Sequence, residues 1–168
     1  WSSVWYSANE RHVHDVKVDK LTGYIYATVG DYQIYGSLEY YLRSTDHGDT
    51  WSKILGALPQ GLAIAITPTA RLFGTHYQNG RIYRTTDDNS YTLVLNTGVP
   101  DVTTWIRRDP VSNKIFASFV SMDGLNTGRI YVSGDDGVTW TTWKKCSLVG
   151  LWYGSGKSSN FVNGVMYY

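Results

Sequence analysis

The residues best suited to chemistry begin with a short ionisable run, Glu10-Arg11-His12-Val13-His14-Asp15. On an extended strand His12 and His14 share one face, with Val13 and Asp15 on the other. Two imidazoles on one face could chelate a metal, or bind an anion together with Arg11. Asp31, at the end of the following strand, could add an oxygen. The pattern offers no clear third ligand, so no metal and no cofactor is expected. The pair reads instead as a contact to a polar ligand or as hydrogen-bonded scaffold. Only two glutamates occur, Glu10 and Glu39. In Glu39-Tyr40-Tyr41 the carboxylate shares its strand face with Tyr41, not Tyr40. Hydrolysis by two carboxylates needs a defined separation in space, which no spacing along one strand supplies. Aromatic faces that stack on sugar rings form the other group, among Tyr32, Tyr35, Tyr40, Tyr41, Trp105, Trp152 and Tyr153. The expected ligand contacts are Arg11, His12, His14, Asp31, Tyr35, Trp105 and Trp152, the remaining aromatics serving as core.

Such residues need a scaffold, and composition narrows which one. The chain has 168 residues, with 15 Lys plus Arg against 14 Asp plus Glu, a formal charge of +1. That excludes a broadly basic nucleic-acid binder, and no nucleic-acid partner is expected. Charged residues are 17% and aromatics 15%, with 14 Tyr and 7 Trp, a balance that argues against disorder. No apolar stretch is long enough for a membrane helix, and no membrane insertion is expected. The single cysteine, Cys146, leaves no intrachain disulfide and no multi-cysteine zinc site. The chain opens at Trp1 without a signal-like segment and reads as a mature or excised piece.

Helix signals are nearly absent, while β-branched and aromatic residues alternate with polar ones between regularly spaced turns, which predicts an all-β fold. The turns repeat. Ser44-Thr45-Asp46-His47-Gly48-Asp49-Thr50-Trp51 matches Ser133-Gly134-Asp135-Asp136-Gly137-Val138-Thr139-Trp140 at Ser, Asp, Gly, Thr and Trp. A worn copy lies between them at Thr85-Thr86-Asp87-Asp88-Asn89-Ser90-Tyr91-Thr92, in which Asn89 replaces Gly and Thr92 replaces Trp. Asp46, Asp87 and Asp135 are 41 and 48 residues apart, the size of a four-stranded propeller blade. Two further features keep the same phase. Tyr24-Ile25-Tyr26, Arg71-Leu72-Phe73 and Lys114-Ile115-Phe116 each follow a turn, and Gly-Arg-Ile-Tyr recurs at 80–83 and 128–131.

The predicted unit has inner strands at 13–18, 61–66 and 102–107 and second strands at 24–29, 71–75 and 114–119. Third strands follow at 38–43, 81–85 and 128–132, and fourth strands at 51–55, 92–95 and 140–144. The expectation is a single β-propeller domain or propeller segment over 1–168, built from four-stranded antiparallel blades. It comprises three full blades, about 11–55, 61–95 and 101–144, with partial blades at 1–7 and 147–168. Because both ends cut the repeat mid-blade, a closed monomeric ring is not expected. The remainder of a longer polypeptide, or self-assembly with another copy, would supply the missing edges.

The turn motif has a local logic. Its Asp accepts bonds from backbone N–H groups a few residues on, Gly48 and Gly137 permit positive φ, and Trp51 and Trp140 bury a large face. These residues resemble the Asp-box, or BNR, repeat of sialidase-like β-propellers, a superfamily with relatives among xyloglucanase-type glycosidases, sortilin-type receptors and photosynthetic assembly factors. The resemblance implies that Ser44, Asp46, Gly48, Trp51, Asp87, Ser133, Asp135, Gly137 and Trp140 are structural residues on the blade periphery, away from the ligand face. A sialidase would also need an arginine triad, a Tyr/Glu pair, an Asp acid/base and usually Arg-Ile-Pro. Here Arg81-Ile82 and Arg129-Ile130 are each followed by Tyr, and no complete catalytic set is found.

With no catalytic residue assigned, the expected function is a non-catalytic scaffold, extracellular, cell-surface or virion-associated, that recognises a glycan or a protein. The alternative is a fragment of a glycoside hydrolase, sialidase-like or xyloglucanase-like, whose catalytic groups lie partly on missing blades. Loops 31–37 and 121–127 are the longest between strands and differ between blades, which is where recognition is normally grafted. Lys144-Lys145 reads as a solvated strand end.

Overall fold

A computed structural model describes residues 13–29, 40–54, 61–75, 80–121 and 127–147, together with 161–162 and 165–166. Among these it is all-β, with three four-stranded antiparallel sheets in which each strand pairs with its predecessor. The first holds β1 (Val13–Val18), β2 (Ile25–Val29), β3 (Tyr40–Ser44) and β4 (Ser52–Lys53). The second holds β5 (Gly61–Ile66), β6 (Arg71–Thr75), β7 (Arg81–Thr85) and β8 (Thr92–Asn96). The third holds β9 (Asp101–Arg108), β10 (Ile115–Ser121), β11 (Thr127–Ser133) and β12 (Thr141–Ser147). A short hairpin of β13 (Phe161–Val162) and β14 (Val165–Met166) follows.

Short polar turns between β-branched runs leave each strand no partner nearer than the one before it, hence the up-and-down order within a sheet. The sheets then stack in chain order as blades, with β1 against β5 and β5 against β9. Inner strands succeeding one another about an axis, with outer strands displaced from it, is propeller architecture. Two apolar layers cement the stack. Tyr26 and Tyr41 of the first blade pack on Ile64 and Phe73 of the second. Ala63, Ala65, Leu72 and Ile82 of the second pack on Ile106, Ile115, Ala117 and Phe119 of the third. Phe73 meets the Tyr41 ring edge-on, with centroids 4.7 Å apart. Gly61 makes room for that ring, since a Cβ there would lie 2.0 Å from Tyr41 Cζ.

Register corrects one expected equivalence. Ile25 faces Ser44, Arg71 faces Thr85 and Ile115 faces Ser133, so Arg71 corresponds to Ile25 rather than to Tyr24. The cause is a shorter turn. In the second blade Thr67 N–H donates to Ala70 O, whereas the other two close Asp19 to Tyr24 and Asp109 to Lys114. Leu72 therefore occupies the place of Tyr26 and Phe116, facing the next blade.

A second correction concerns strand parity. Val13 pairs with Val29 but Asp15 pairs with Thr28, so a bulge at His14 puts Val13 and Asp15 on opposite faces. The alternation predicted for 12–15 fails at that residue. The other inner strands carry the same bulge at Leu62, between Gly61 and Ala63, and at Thr104, between Thr103 and Trp105.

Candidate functional site

The bulged inner strands bring a polar cluster to the axis. Asp15 N–H donates to Thr28 Oγ1 at 3.0 Å, which fixes the bulged backbone. The Asp15 carboxylate then reaches the neighbouring blade, where Ile64 N–H donates to Oδ2 at 3.1 Å. Lys17, on the same strand face, pairs with Oδ1, and Arg107 of the third blade lies 3.8 Å from Oδ2. One carboxylate thus connects the inner strands of three blades. The side chains of Lys17 and Arg107 are each 27% exposed, against 15% for Asp15. With two cations per carboxylate, the cluster suits hydroxyl or anionic groups of a ligand. Both Asp15 carboxylate oxygens are thus engaged, Oδ1 by Lys17 and Oδ2 by Ile64 N–H and Arg107.

The sequence-predicted contacts divide. Arg11, His12, Asp31, Tyr35 and Trp152 lie outside the described residues, as do Glu10 and Glu39. His14 sits half-buried at the bulge, one residue from the axial carboxylate. Trp105 is 5% exposed and belongs to an apolar cluster with Phe116 and Ile130, which leaves little ring face for a ligand. Tyr41 is likewise core, its hydroxyl donating to Gly74 O at 3.0 Å. No sequence pattern groups Asp15 with Lys17 and Arg107. Asp15 lies within the ionisable run 10–15, but its partners come from strands about 50 and 90 residues further on.

The three repeated turns spend their aspartates locally. Thr50 N–H donates to Asp46 Oδ1 at 2.9 Å and Ser44 Oγ to the same oxygen at 2.7 Å. The Ser44 hydroxyl in turn accepts from Gly48 N–H at 2.8 Å, and Trp51 Nε1 donates to Gly48 O at 3.1 Å. Ser133, Asp135, Gly137, Thr139 and Trp140 reproduce each of these bonds. The Thr50 hydroxyl and N–H, with Ser44, hold Asp46 down at about 2, and the Thr139 and Ser133 donors do the same for Asp135. In Asp87 the N–H groups of Ser90 and Asn89 lower the carboxyl in the same sense.

The middle turn departs from the expected substitution pattern. It is one residue shorter, and the aromatic that closes it is Tyr91, whose hydroxyl donates to Asp88 O at 3.2 Å. Tyr91, not Thr92, stands for Trp. The left-handed residue is Asp88, φ 60°, matching His47 and Asp136 at 61° and 59°. The second left-handed position, held by Gly48 and Gly137 in the longer turns, is absent, so Asn89 has no such strain to absorb.

Among the described residues the other aspartates, apart from the exposed Asp49, are committed as well. Asp101, fully buried, pairs with Arg129 NH1 at 2.7 Å, and Asp19 with Arg71 NH2 at 2.8 Å. Asp88 takes the Tyr26 hydroxyl at 2.6 Å and Arg43 NH1 at 3.1 Å, and Asp136 pairs with Arg84. Burial and the Asp88 carboxylate push the Tyr26 phenol well above its ordinary range, so it stays a donor. No group of three His, Cys, Asp or Glu that could hold a metal occurs among the described residues.

No family model matches the chain, and no curated protein matches it. Among solved structures it is similar to the GH74 enzyme of Niastella koreensis, at 13% identity and a TM-score of 0.39. The match covers 77% of this chain and 30% of that one, so the chain spans less than a third of the enzyme's length. At that score the likeness carries no argument about activity.

Proposed function

We propose that this propeller segment is a non-catalytic scaffold of an extracellular, cell-surface or virion assembly that recognises a glycan or a protein. One observation carries the reading. Among the described residues, every aspartate except the exposed Asp49 has its carboxylate committed to a turn or to an arginine or lysine of the scaffold. Glycoside cleavage requires one carboxyl able to give a proton and another poised beside it, whereas these carboxylates are already engaged by donors of the scaffold itself. Recognition requires only a rigid frame and side chains at its variable end. The axial Lys17 and Arg107 are the side chains assigned to it; the loops between second and third strands lie almost wholly outside the described residues.

The test pairs two screens on the same chain. Fluorogenic sialosides and β-glucans should show no turnover, while an immobilised glycan panel should retain the chain, and Lys17→Ala with Arg107→Ala should weaken that retention. Turnover that disappears on substituting one carboxylate would replace the scaffold with the hydrolase alternative. Retention by no glycan would leave a protein partner as the object of recognition.

A further inference from the structure

The seams between blades carry a repeated charge pair at one defined place. Arg43 stands on β3 directly before Ser44, and its NH1 lies 3.1 Å from Asp88 Oδ2, across the seam to the second blade. Arg84 stands on β7 directly before Thr85 and reaches the third blade, with NH2 3.3 Å from Asp136 Oδ2 and Nε donating to Asp136 O at 3.0 Å. Register proves the two arginines equivalent, since Arg43 faces Tyr26, Arg84 faces Leu72, and the corresponding residue of the third blade, Val132, faces Phe116. The acceptors are equivalent too, for Asp88 and Asp136 each follow the turn aspartate and have φ 60° and 59°.

Backbone geometry alone does not demand an acid there. His47 holds the same place in the first blade at φ 61°, and Asn populates that region readily. Aspartate occurs at the two positions that meet an arginine from the preceding blade. The apolar packing differs from seam to seam, aromatic at the first with Tyr26, Tyr41 and Phe73 and mainly aliphatic at the second with Leu72, Ile82, Ile106 and Ile115, while the charge pair recurs at the same place in both. To the fit of apolar side chains the charge pair adds a requirement of sign, a cation before the turn on one blade and an acid in the turn of the next. Asp88 is also met by the Tyr26 hydroxyl and by Arg71 of its own blade at 3.9 Å.

We propose that these two positions form a recognition code between consecutive blades. Arginine before the turn Ser/Thr selects a following blade with aspartate after its turn Asp, which makes Arg43 and Arg84 specificity-determining residues for blade order. By the same code Val132, on the outward face of the third blade, fits a neighbour with no acid at that place. His47, on the first blade, fits a predecessor with no arginine.

Double-mutant cycles on the full 168-residue chain test it, using Arg43→Gln, Arg84→Gln, Asp88→Asn and Asp136→Asn, because Asn keeps the left-handed backbone. The matched pairs Arg43/Asp88 and Arg84/Asp136 should show coupling of about fivefold to tenfold in the folding equilibrium constant. The crossed pairs Arg43/Asp136 and Arg84/Asp88 should show almost none. Coupling missing from a matched pair, or equally large in the crossed pairs, overturns the code. If a double variant does not fold, amide exchange on the single variants decides. Arg84→Gln and Asp136→Asn should speed exchange at the same amides of turn 133–140 and leave turn 44–51 unchanged, while a uniform rise across both turns overturns it.

Discussion

At the scale of single residues, this protein uses carboxylates as acceptors that join segments of chain. Asp15 is the extreme case, taking a backbone N–H from the second blade and a guanidinium from the third. Asp15→Ala leaves the Ile64 N–H without its charged acceptor and sets Lys17 and Arg107 against each other. A loss of about 1.5–3 kcal/mol is expected, the range for a hydrogen bond to a charged group, to be read from denaturant unfolding. The turn aspartates make a different prediction. Asp46 and Asp135 sit near 2 when folded, below the ordinary value of about 3.9. Their contribution is therefore fully present above about pH 4 and is lost as pH falls towards 2. Melting temperature followed over that window should decline less steeply in the Asp46→Asn, Asp135→Asn double variant. A parallel decline would assign acid lability elsewhere, and screening at these exposed turns keeps the difference small.

At the scale of elements, the turns and bulges set which way side chains point. Gly48 and Gly137 hold the same turn position, but their surroundings differ. A Cβ on Gly48 would stand 3.7 Å from Ile25 Cδ1, whereas on Gly137 it would stand 2.8 Å from Leu72 Cδ2. Both have positive φ, so both alanine variants are strained, and Gly137→Ala adds a clash with a core residue. The expected order is a cost near 1 kcal/mol for Gly48→Ala and clearly more for Gly137→Ala, checked by thermal unfolding of the two side by side. In the middle turn, Tyr91→Phe removes the hydroxyl that closes it on Asp88 O and should cost about 1 kcal/mol.

At the scale of the whole molecule, stability resides in seams between blades rather than within any one sheet. Phe73 is fully buried and meets Tyr26, Tyr41 and Tyr91 edge-on at the first seam. Phe73→Ala should cost about 3–5 kcal/mol, transfer and cavity terms together. The loss should appear as raised amide exchange in both the first and second blades. A loss confined to the second would mean that the sheets are stable singly. A four-stranded sheet with two apolar faces has no other way to bury them, so neighbouring blades are part of each blade's folding unit.

What the amino-acid sequence determined by itself was local. Alternation, turn residues and the spacing of Asp46, Asp87 and Asp135 gave an all-β chain of four-stranded units, because hairpin geometry depends on a few consecutive residues. Even there a one-residue deletion hid Tyr91 behind Thr92, and a shortened turn moved Arg71 by one place. The candidate site was legible only in part. The ionisable run drew attention to 10–15, but a bulge at His14 reversed the faces, and no alternation count registers an inserted residue. Only the tertiary structure decided that Asp15 would meet Ile64 and Arg107, and that Arg43 and Arg84 would meet Asp88 and Asp136. Those partners lie a blade or more apart in sequence, and their meeting depends on how whole sheets stack, which no short-range pattern encodes.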